Sequence, residues 1–443
     1  MILTGWASPK IAEAFSVKAA CRDRASHLAL TLISRLIPCL DHRPEGPEAR
    51  LRACSSPPES QLPMSPANPI PFLDLKAQQA RIAADLRHRL DTVLAHCQFI
   101  QGPEVAELEA ALAAFCGARY CIAVSSGTDA LQIALMGEEI GRGDAVFLPG
   151  FTYTATAEVV LVLGATPVFV DVDPHTFQID PADLERRIAA VKANGELKPR
   201  GLIGVDLFGQ PADWDALNTI ATREKIFTLD DCAQSYGASL HGKRLGVQAD
   251  ATAVSFYPSK SLGAYGDGGA LFTDDDTRAA LYRSLRTHGE GATRYEVLRT
   301  GMNGRLDSIQ AAVLLSKLTV FADELTIREE IASYYDSRLG NAVAIPTRVP
   351  DSTSAWAIYS ILLPDAATRD RVQASLREAG VPTAIYYPKP LHHQPAYRDY
   401  HVGTPLPVSE NLAGRILALP IHPDLDAAAR ARVCDAVLAA VSA

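Results

Sequence analysis

Residues 201–234 read GLIGVDLFGQPADWDALNTIATREKIFTLDDCAQ, two short apolar segments with a helical segment between them. The segments Gly201–Asp206 and Ile226–Leu229 are nearly continuous in hydrophobicity, which is typical of strands covered on both faces of a sheet. The region Ala212–Thr222 between them predicts a helix. Strands joined by a helical crossover pair in parallel. The stretch therefore predicts an α/β fold with a mostly parallel sheet.

The same alternation continues on both sides of this unit. The further predicted helices are Glu104–Phe115, Thr128–Met136 and Thr154–Leu163, and the further predicted strands are Ala145–Leu148, Val168–Val172 and Thr252–Phe256. After a long predicted helix from Asp307 to about Glu324, the elements become a strand at Ala357–Leu363, a helix at Ala366–Ala379 and a last helix from Leu425 to the end. We expect a large domain over residues 69–325 and a small C-terminal α+β domain over residues 326–443.

The first part of the chain differs from the rest. Residues 1–63 hold eight Lys+Arg and six Asp+Glu, a net charge of +2 against −9 for the whole chain. Nine prolines lie between Pro38 and Pro71, and such a density of proline prevents helices and sheet ladders from forming. We expect residues 1–68 to be a disordered extension, or the start to be mis-annotated with translation beginning at Met64.

Composition excludes several classes of protein. The net charge of −9 gives no basic field for a nucleic acid or an anionic membrane surface. No apolar run reaches the roughly 20 residues that cross a bilayer. The eight cysteines form no CxxC pair and no His/Cys cluster at metal spacing, so we expect no metal site and a reducing compartment, the cytoplasm.

Two polar segments after predicted strands could bind the ends of a small ligand, because ligands of open α/β sheets bind beyond the carboxyl ends of the strands. In residues 124–131, VSSGTDAL, a turn of small residues begins a helix whose free N–H groups can hold an anion; an ordinary helix cap is the alternative. In residues 229–234, LDDCAQ, the two carboxylates point to opposite faces of a strand. A buried one needs a cationic partner such as a protonated ring nitrogen, and a helix-capping role is the alternative.

Two further segments supply a possible nucleophile and an aromatic ring. Residues 255–263, SFYPSKSLG, place Lys260 after a strand, where desolvation would make its amine a nucleophile; a solvated surface lysine is the alternative. In residues 151–156, FTYTAT, Tyr153 can stack on a flat ring or simply pack in a loop. An anion cradle, an aromatic ring, a carboxylate and a lysine are together what pyridoxal 5'-phosphate requires.

From about Phe72 to the C-terminus, these segments and their order resemble the DegT-type nucleotide-sugar aminotransferases, a branch of the fold-type I pyridoxal phosphate enzymes. The resemblance implies a large domain with a mostly parallel seven-stranded sheet between helices, plus the small α+β domain. It also implies a transaminase with two half-reactions, in which L-glutamate donates an amino group that a keto group of a nucleotide-linked sugar receives.

The resemblance assigns roles to individual residues. Lys260 would bond to the cofactor and then move the proton between cofactor and substrate carbons, and Asp231 would pair with the pyridine nitrogen, with Gln234 beside it. Tyr153 would stack on the ring. The residues implied to hold the phosphate are Gly127, Thr128, Ser255 and, from the neighbouring subunit, Asn303. This last role implies a homodimer with shared active sites.

Substrate-binding residues follow from three further stretches. Residues 72–81, 150–158 and 387–392 look most like enzymes that aminate C3 of UDP-2-acetamido-2-deoxy-3-oxo-glucuronate for surface-polysaccharide synthesis. By motif position, the candidates for binding the sugar carboxylate are Arg305, Tyr386, Tyr387 and His392, and a structural role is an equal alternative for each. Two departures from the family pattern are Asp206, where many members have His, and Asp230, where Glu is usual.

Two other functions remain open at this stage. A dTDP-3-oxo- or 4-oxo-6-deoxyhexose is the alternative substrate, and it would lack the carboxylate. A sensory or regulatory protein that keeps the fold without turnover would show a broken set of catalytic residues, whereas this set is complete. A related dehydratase branch has histidine where this chain has Lys260.

Overall fold

The structure, a computed structural model, describes residues 70–293, 295–400 and 405–442, and the expectation for residues 1–68 lies outside these ranges. The α-helices are α1 (Leu75–His96), α2 (Pro103–Cys116), α3 (Gly127–Gly137), α4 (Ala155–Val162), α5 (Pro181–Asn194), α6 (Trp214–Glu224), α7 (Asp276–Arg286), α8 (Ser308–Leu339), α9 (Ala366–Glu378), α10 (Pro407–Arg415) and α11 (Ala427–Ser442). None of these described helices is long and apolar enough to span a membrane.

The strands are β1 (Tyr120–Val124), β2 (Asp144–Pro149), β3 (Thr166–Val170), β4 (Lys198–Val205), β5 (Phe227–Asp231), β6 (Ser239–Leu240), β7 (Lys243–Arg244), β8 (Ala251–Ser255), β9 (Gly269–Thr273), β10 (Ser352–Thr353), β11 (Tyr359–Leu362) and β12 (Ile416–Leu419). Seven of them form one sheet in the order β1-β9-β8-β5-β4-β2-β3. Strand β9 runs antiparallel to both its neighbours, and the other pairings are parallel. The prediction of a mostly parallel seven-stranded sheet is confirmed.

Helices cover both faces of this sheet, because alternate residues of each strand point into different cores. In β1, Cys121 and Ala123 pack in the core that contains α2, α6 and the first half of α8. Ile122 and Val124 of the same strand pack in the core that contains α3, α4 and α7. This double burial is the reason for the near-continuous hydrophobicity of the strands.

The C-terminal part builds a core of its own. Strands β11 and β12 pair antiparallel, and they pack with α9, α11 and the second half of α8. Helix α8 continues beyond the predicted end at Glu324 because Ile331, Tyr335 and Leu339 extend its apolar face at a spacing of four residues. The predicted boundary between the two domains therefore falls inside one continuous helix. The division into domains itself stays a prediction.

Candidate active site

A cavity of about 530 Å³ lies at the carboxyl edge of the sheet, where the chain leaves β1, β2, β5 and β8. Parallel strands deliver their carboxyl ends to one edge, so segments far apart in sequence meet there. The predicted site residues that line the cavity are Gly127, Thr128, Tyr153, Asp231, Gln234, Ser255, Lys260, Tyr386 and Tyr387. The chain thus brings together nearly all the residues that were expected to touch the cofactor.

One wall of the cavity is the start of α3. Ser126 caps this helix, since its Oγ accepts a hydrogen bond from the backbone N–H of Asp129 at 3.0 Å. A Cβ on Gly127 would lie 2.7 Å from Cβ of Ser255, so only glycine lets the first turn of α3 approach the end of β8 this closely. The helix N-terminus and the Ser255 hydroxyl together form an anion cradle.

The Asp231 carboxylate ends β5 and is buried. Its Oδ2 accepts a hydrogen bond from Oγ1 of Thr156 at 2.8 Å, and its Oδ1 accepts one from the Ala233 N–H at 3.3 Å. Burial raises the pKa of Asp231, and the hydrogen bond from Thr156 opposes this shift. A cation placed against this carboxylate would favour its charged form.

Lys260 lies in a turn after β8, where its N–H donates to the carbonyl of Tyr257 at 2.8 Å. Burial lowers the pKa of the Lys260 ammonium, and the charge of Asp231 opposes part of that shift. The two side chains act on each other within one cavity. This environment favours the neutral amine, which is the nucleophilic form.

The neighbouring carboxylate of β5, Asp230, points away from the cavity, as strand alternation predicted. It is fully buried beside Asp206, whose Oδ1 accepts from Ala212 N–H at 2.7 Å and from Nε1 of Trp214 at 3.1 Å. Burial raises the pKa of Asp206 to about 7. Burial and the Asp206 carboxylate raise the pKa of Asp230 well above its usual range. Both carboxyl groups are therefore biased toward their protonated forms.

Polar and aromatic groups form another wall. The Gln234 side chain accepts from Phe208 N–H at 2.6 Å and donates to the Tyr387 hydroxyl at 3.2 Å, which fixes its amide between two loops. Tyr153 is 58% exposed, and the centroid of its ring lies 6.3 Å from that of Tyr387. Tyr153 therefore presents an open face to a flat ligand.

Three predicted residues lie outside the cavity wall of this chain. Asn303 is exposed and forms an isolated backbone bridge with Thr287. Arg305 forms such a bridge with Val124, and its buried Nε has no partner among the described residues. His392 is buried, with Nε2 at 3.1 Å from Oε1 of Glu410. Their predicted roles stay predictions.

Sequence reasoning assigned no role to Thr156 or Arg328. Thr156 lies in the first turn of α4, three residues after Tyr153, so its nearness in sequence to that loop could have marked it. Arg328 lines the cavity from the middle of α8, 68 residues after Lys260. Only tertiary packing brings it there, and no local motif marks it.

These groups fit a phosphorylated pyridine aldehyde. The close approach of Gly127 to Ser255 makes a cradle for the phosphate, the buried Asp231 matches a protonated ring nitrogen, and the desolvated Lys260 matches the aldehyde carbon. The fold and the site together define a fold-type I pyridoxal phosphate enzyme, a transaminase.

Comparison with known proteins places the chain more closely. The model of the DegT/DnrJ/EryC1/StrS aminotransferase family matches residues 80–438, and the chain belongs to that family. The resemblance stated from the sequence is confirmed, as is pyridoxal phosphate as the cofactor.

One relative and two solved structures show how similar the chain is to known proteins. A UDP-2-acetamido-2-deoxy-3-oxo-D-glucuronate aminotransferase from Pseudomonas aeruginosa is 46% identical over 369 residues, which are 83% of this chain and 99% of the relative. A solved DegT/DnrJ/EryC1/StrS aminotransferase from Brucella abortus is 46% identical, with a TM-score of 0.81 over 83% of this chain and 98% of its own. S. venezuelae DesV, solved with a ketimine intermediate, is 36% identical, with a TM-score of 0.81 over 85% of this chain and 100% of its own.

Proposed function

We propose that this transaminase moves the amino group of L-glutamate to C3 of UDP-2-acetamido-2-deoxy-3-oxo-glucuronate, a step in surface-polysaccharide synthesis. The observation that supports this substrate is the 46% identity, over 99% of its length, to a relative named for that reaction. The absence of a CxxC pair or metal-spaced cysteines supports the cytoplasm as its compartment.

Asp231 and Lys260 carry the chemistry in this proposal. Bound pyridoxal phosphate supplies a protonated ring that withdraws electrons from the carbon losing its proton. Asp231, held by Thr156, would accept a hydrogen bond from the ring nitrogen and keep it protonated. Lys260 would hold the cofactor in the resting enzyme, and its Nζ would move the proton between the cofactor and substrate carbons. The lowered pKa of Lys260 favours the neutral amine that takes up this proton.

The remaining cofactor-binding residues hold position. The first turn of α3, at Gly127 and Thr128, and the Ser255 hydroxyl bind the phosphate, since N–H groups at a helix N-terminus favour an anion. Tyr153 stacks on the ring, and Gln234 lies beside Asp231, fixed by its two hydrogen bonds.

The second subunit completes the site in this proposal. Asn303 is exposed at the protein surface, where it can reach the phosphate bound by a neighbouring chain of a homodimer. Arg305, two residues further, has a buried Nε without a described partner and is proposed to act on the sugar carboxylate together with Tyr386, Tyr387 and His392. Of these four, the two tyrosines line the cavity of the described chain.

The test is the visible absorbance of the purified protein loaded with pyridoxal phosphate. L-Glutamate should convert the absorbance band to that of the amino form, and the UDP-linked 3-oxo-uronate should then restore it. If glutamate converts the band and only a dTDP-3-oxo- or 4-oxo-6-deoxyhexose restores it, the chain is a deoxysugar transaminase instead. If neither class of sugar restores the band, the proposed acceptor is wrong.

A further inference from the structure

Arg328 is a buried cation in the wall of the active-site cavity that the proposed chemistry does not yet use. It is 3% exposed, and it is the one arginine among the described residues that line the cavity. It projects from α8, whereas the phosphate cradle belongs to α3 and the end of β8. The cavity thus has a second position for an anion.

The hydrogen bonds of Arg328 do not pair its charge with a carboxylate. Its Nη1 donates to the carbonyls of Trp356 at 3.0 Å and Ile421 at 2.9 Å, which are neutral acceptors. Its Nε is buried and has no partner among the residues that the structure describes. Burial lowers the pKa of Arg328 to about 10, and the charges of Glu324 and Asp424 oppose only part of this shift.

The nearest acidic groups are occupied by another arginine. Oε1 of Glu324 accepts from Nη2 of Arg81 at 2.6 Å, and both Glu324 oxygens accept from Gln78. The Asp424 carboxylate pairs with Nε of Arg81 at 3.1 Å. Both carboxylates thus form their ion pairs with Arg81, and no hydrogen bond joins either of them to Arg328 among the described residues.

We propose that Arg328 binds a carboxylate of the substrate. A planar guanidinium matches the geometry of a carboxylate, and a counter-charge in the cavity would offset the desolvation of the arginine. Two substrates of the proposed function carry one: the amino donor, L-glutamate, and the uronate sugar. The inference rests on that function, and Arg328 acts as a specificity residue that does not touch the reacting atoms.

The experiment measures binding of unreactive carboxylates to the loaded enzyme by calorimetry. Glutarate represents the donor, and UDP-glucuronate compared with UDP-glucose isolates the sugar carboxylate. The amide of Arg328→Gln can still donate to the two carbonyls. In this variant we expect either a Kd for glutarate that is at least tenfold higher, or loss of the preference for UDP-glucuronate over UDP-glucose. The first result assigns the donor carboxylate, and the second assigns the sugar carboxylate. Arg328→Lys, which keeps the charge, should lose less affinity for the carboxylate ligands than Arg328→Gln. Substitution of the exposed Arg87, as Arg87→Met, should leave these affinities unchanged.

Unchanged affinities in both ligand series would overturn the proposal. A folding defect is recognised by a changed melting temperature or cofactor absorbance, and then Arg328→Lys decides: a glutarate Kd and a sugar preference equal to those of the wild type would also overturn it. Because no turnover is needed, a wild-type enzyme that fails to aminate the 3-oxo-uronate would refute the proposed function and leave this measurement intact.

Discussion

At the scale of single residues, the site depends on two groups whose pKa values burial shifts in opposite directions. Burial raises the pKa of the Asp231 carboxyl and lowers that of the Lys260 ammonium, so without a ligand both groups are biased toward neutrality. A cationic ligand nitrogen against Asp231 would stabilise the charged carboxylate and so offset the effect of burial. An aldehyde at Lys260 would react with the neutral amine that burial favours. The same two perturbations thus select one class of cofactor.

Replacing the charge at Asp231 should slow amino transfer without unfolding the protein. A hydrogen bond to a charged group contributes about 1.5–3 kcal/mol. We therefore expect Asp231→Asn to lower the rate of the L-glutamate half-reaction by roughly tenfold or more. Stopped-flow absorbance of the loaded enzyme measures this rate. Thr156→Val removes only the 2.8 Å hydrogen bond to Oδ2 and should cost a few-fold, about 1 kcal/mol. A Thr156 variant slower than the Asp231 variant would contradict this account.

Site residues could be predicted from the sequence where they directly follow a predicted strand. Lys260 and Asp231 follow strands directly, so their segments could be interpreted from sequence and the cavity contains both. Arg328 could not be found this way, because it sits in mid-helix and only the packing of α8 against Trp356 and Ile421 turns it into the cavity. Asn303 was placed by resemblance alone, and the described chain leaves it outside the cavity wall.

At the scale of elements, the contact between α3 and β8 sets the phosphate cradle. Gly127→Ala would place a Cβ 2.7 Å from Cβ of Ser255, too close for either element to stay in place. Overpacking of this kind costs about 1–3 kcal/mol, and here it falls on the anion site, so we expect the Kd for pyridoxal phosphate to rise roughly tenfold. Equilibrium titration of the apoprotein measures it. The control is Gly141→Ala, where the nearest atom lies at 3.6 Å and affinity should not change. Equal affinities for the two variants would argue against the cradle.

A second element-scale feature links β4 to β5 through the buried carboxyl groups of Asp206 and Asp230. The pKa of Asp206 rises from 3.8 to about 7 on burial, so the folded protein holds more protons than the unfolded chain between these values. Its contribution to the free energy of unfolding is therefore present at low pH and is lost as pH rises through 7, about 2 kcal/mol between pH 5.5 and 8.

Thermal unfolding at several pH values tests this linkage. The melting temperature of Asp206→Asn should depend less on pH between 5.5 and 8 than that of the wild type. The exposed Asp323→Asn should keep the wild-type dependence. An Asp206 variant with an unchanged slope would show that burial does not raise the pKa of Asp206.

The strands that sequence predicted and those it missed differ in the segments that flank them. β4 and β5 are apolar and lie on either side of a helical segment, which marks them as a crossover unit. β9, with the sequence GALFT, follows a glycine-rich turn and was not predicted, since its pairing with β1 and β8 depends on strands distant in sequence. The sequence interpretation also omitted the helices α1, α5 and α7 and the strand β1. The sheet to which β1 belongs was nevertheless correctly expected to be mostly parallel.

At the scale of the whole molecule, one long helix connects the two halves of the site. The first half of α8 packs under the large sheet, and its second half belongs to the core of β11 and β12. Arg328 lies in that second half and reaches the same cavity as Lys260, so residues of the C-terminal part meet those of the sheet edge. A single cavity is therefore lined both by the sheet edge and by the C-terminal part of the chain.

The proposed homodimer makes a prediction about mixed subunits. Lys260 and Asp231 line the cavity of one chain, whereas Asn303 would come from the other. Lys260→Ala and Asn303→Asp, which sets a charge against the phosphate, should each be inactive alone. A mixed dimer would hold one site with both defects and one intact site. Refolding the two variants together in equal amounts should therefore restore about a quarter of wild-type activity, since half the dimers are mixed and half their sites are whole.

The matched control mixes two variants whose defects lie in the same chain's cavity. Lys260→Ala refolded with Asp231→Asn leaves one defect in every site of the mixed dimer, so activity should stay at the level of the unmixed variants. Analytical ultracentrifugation of each mixture establishes that dimers have formed. Recovery in the first mixture and none in the second is the pattern that a shared site requires. If dimers form and the first mixture stays inactive, Asn303 does not act across the interface, and each chain holds the phosphate with its own α3 and Ser255.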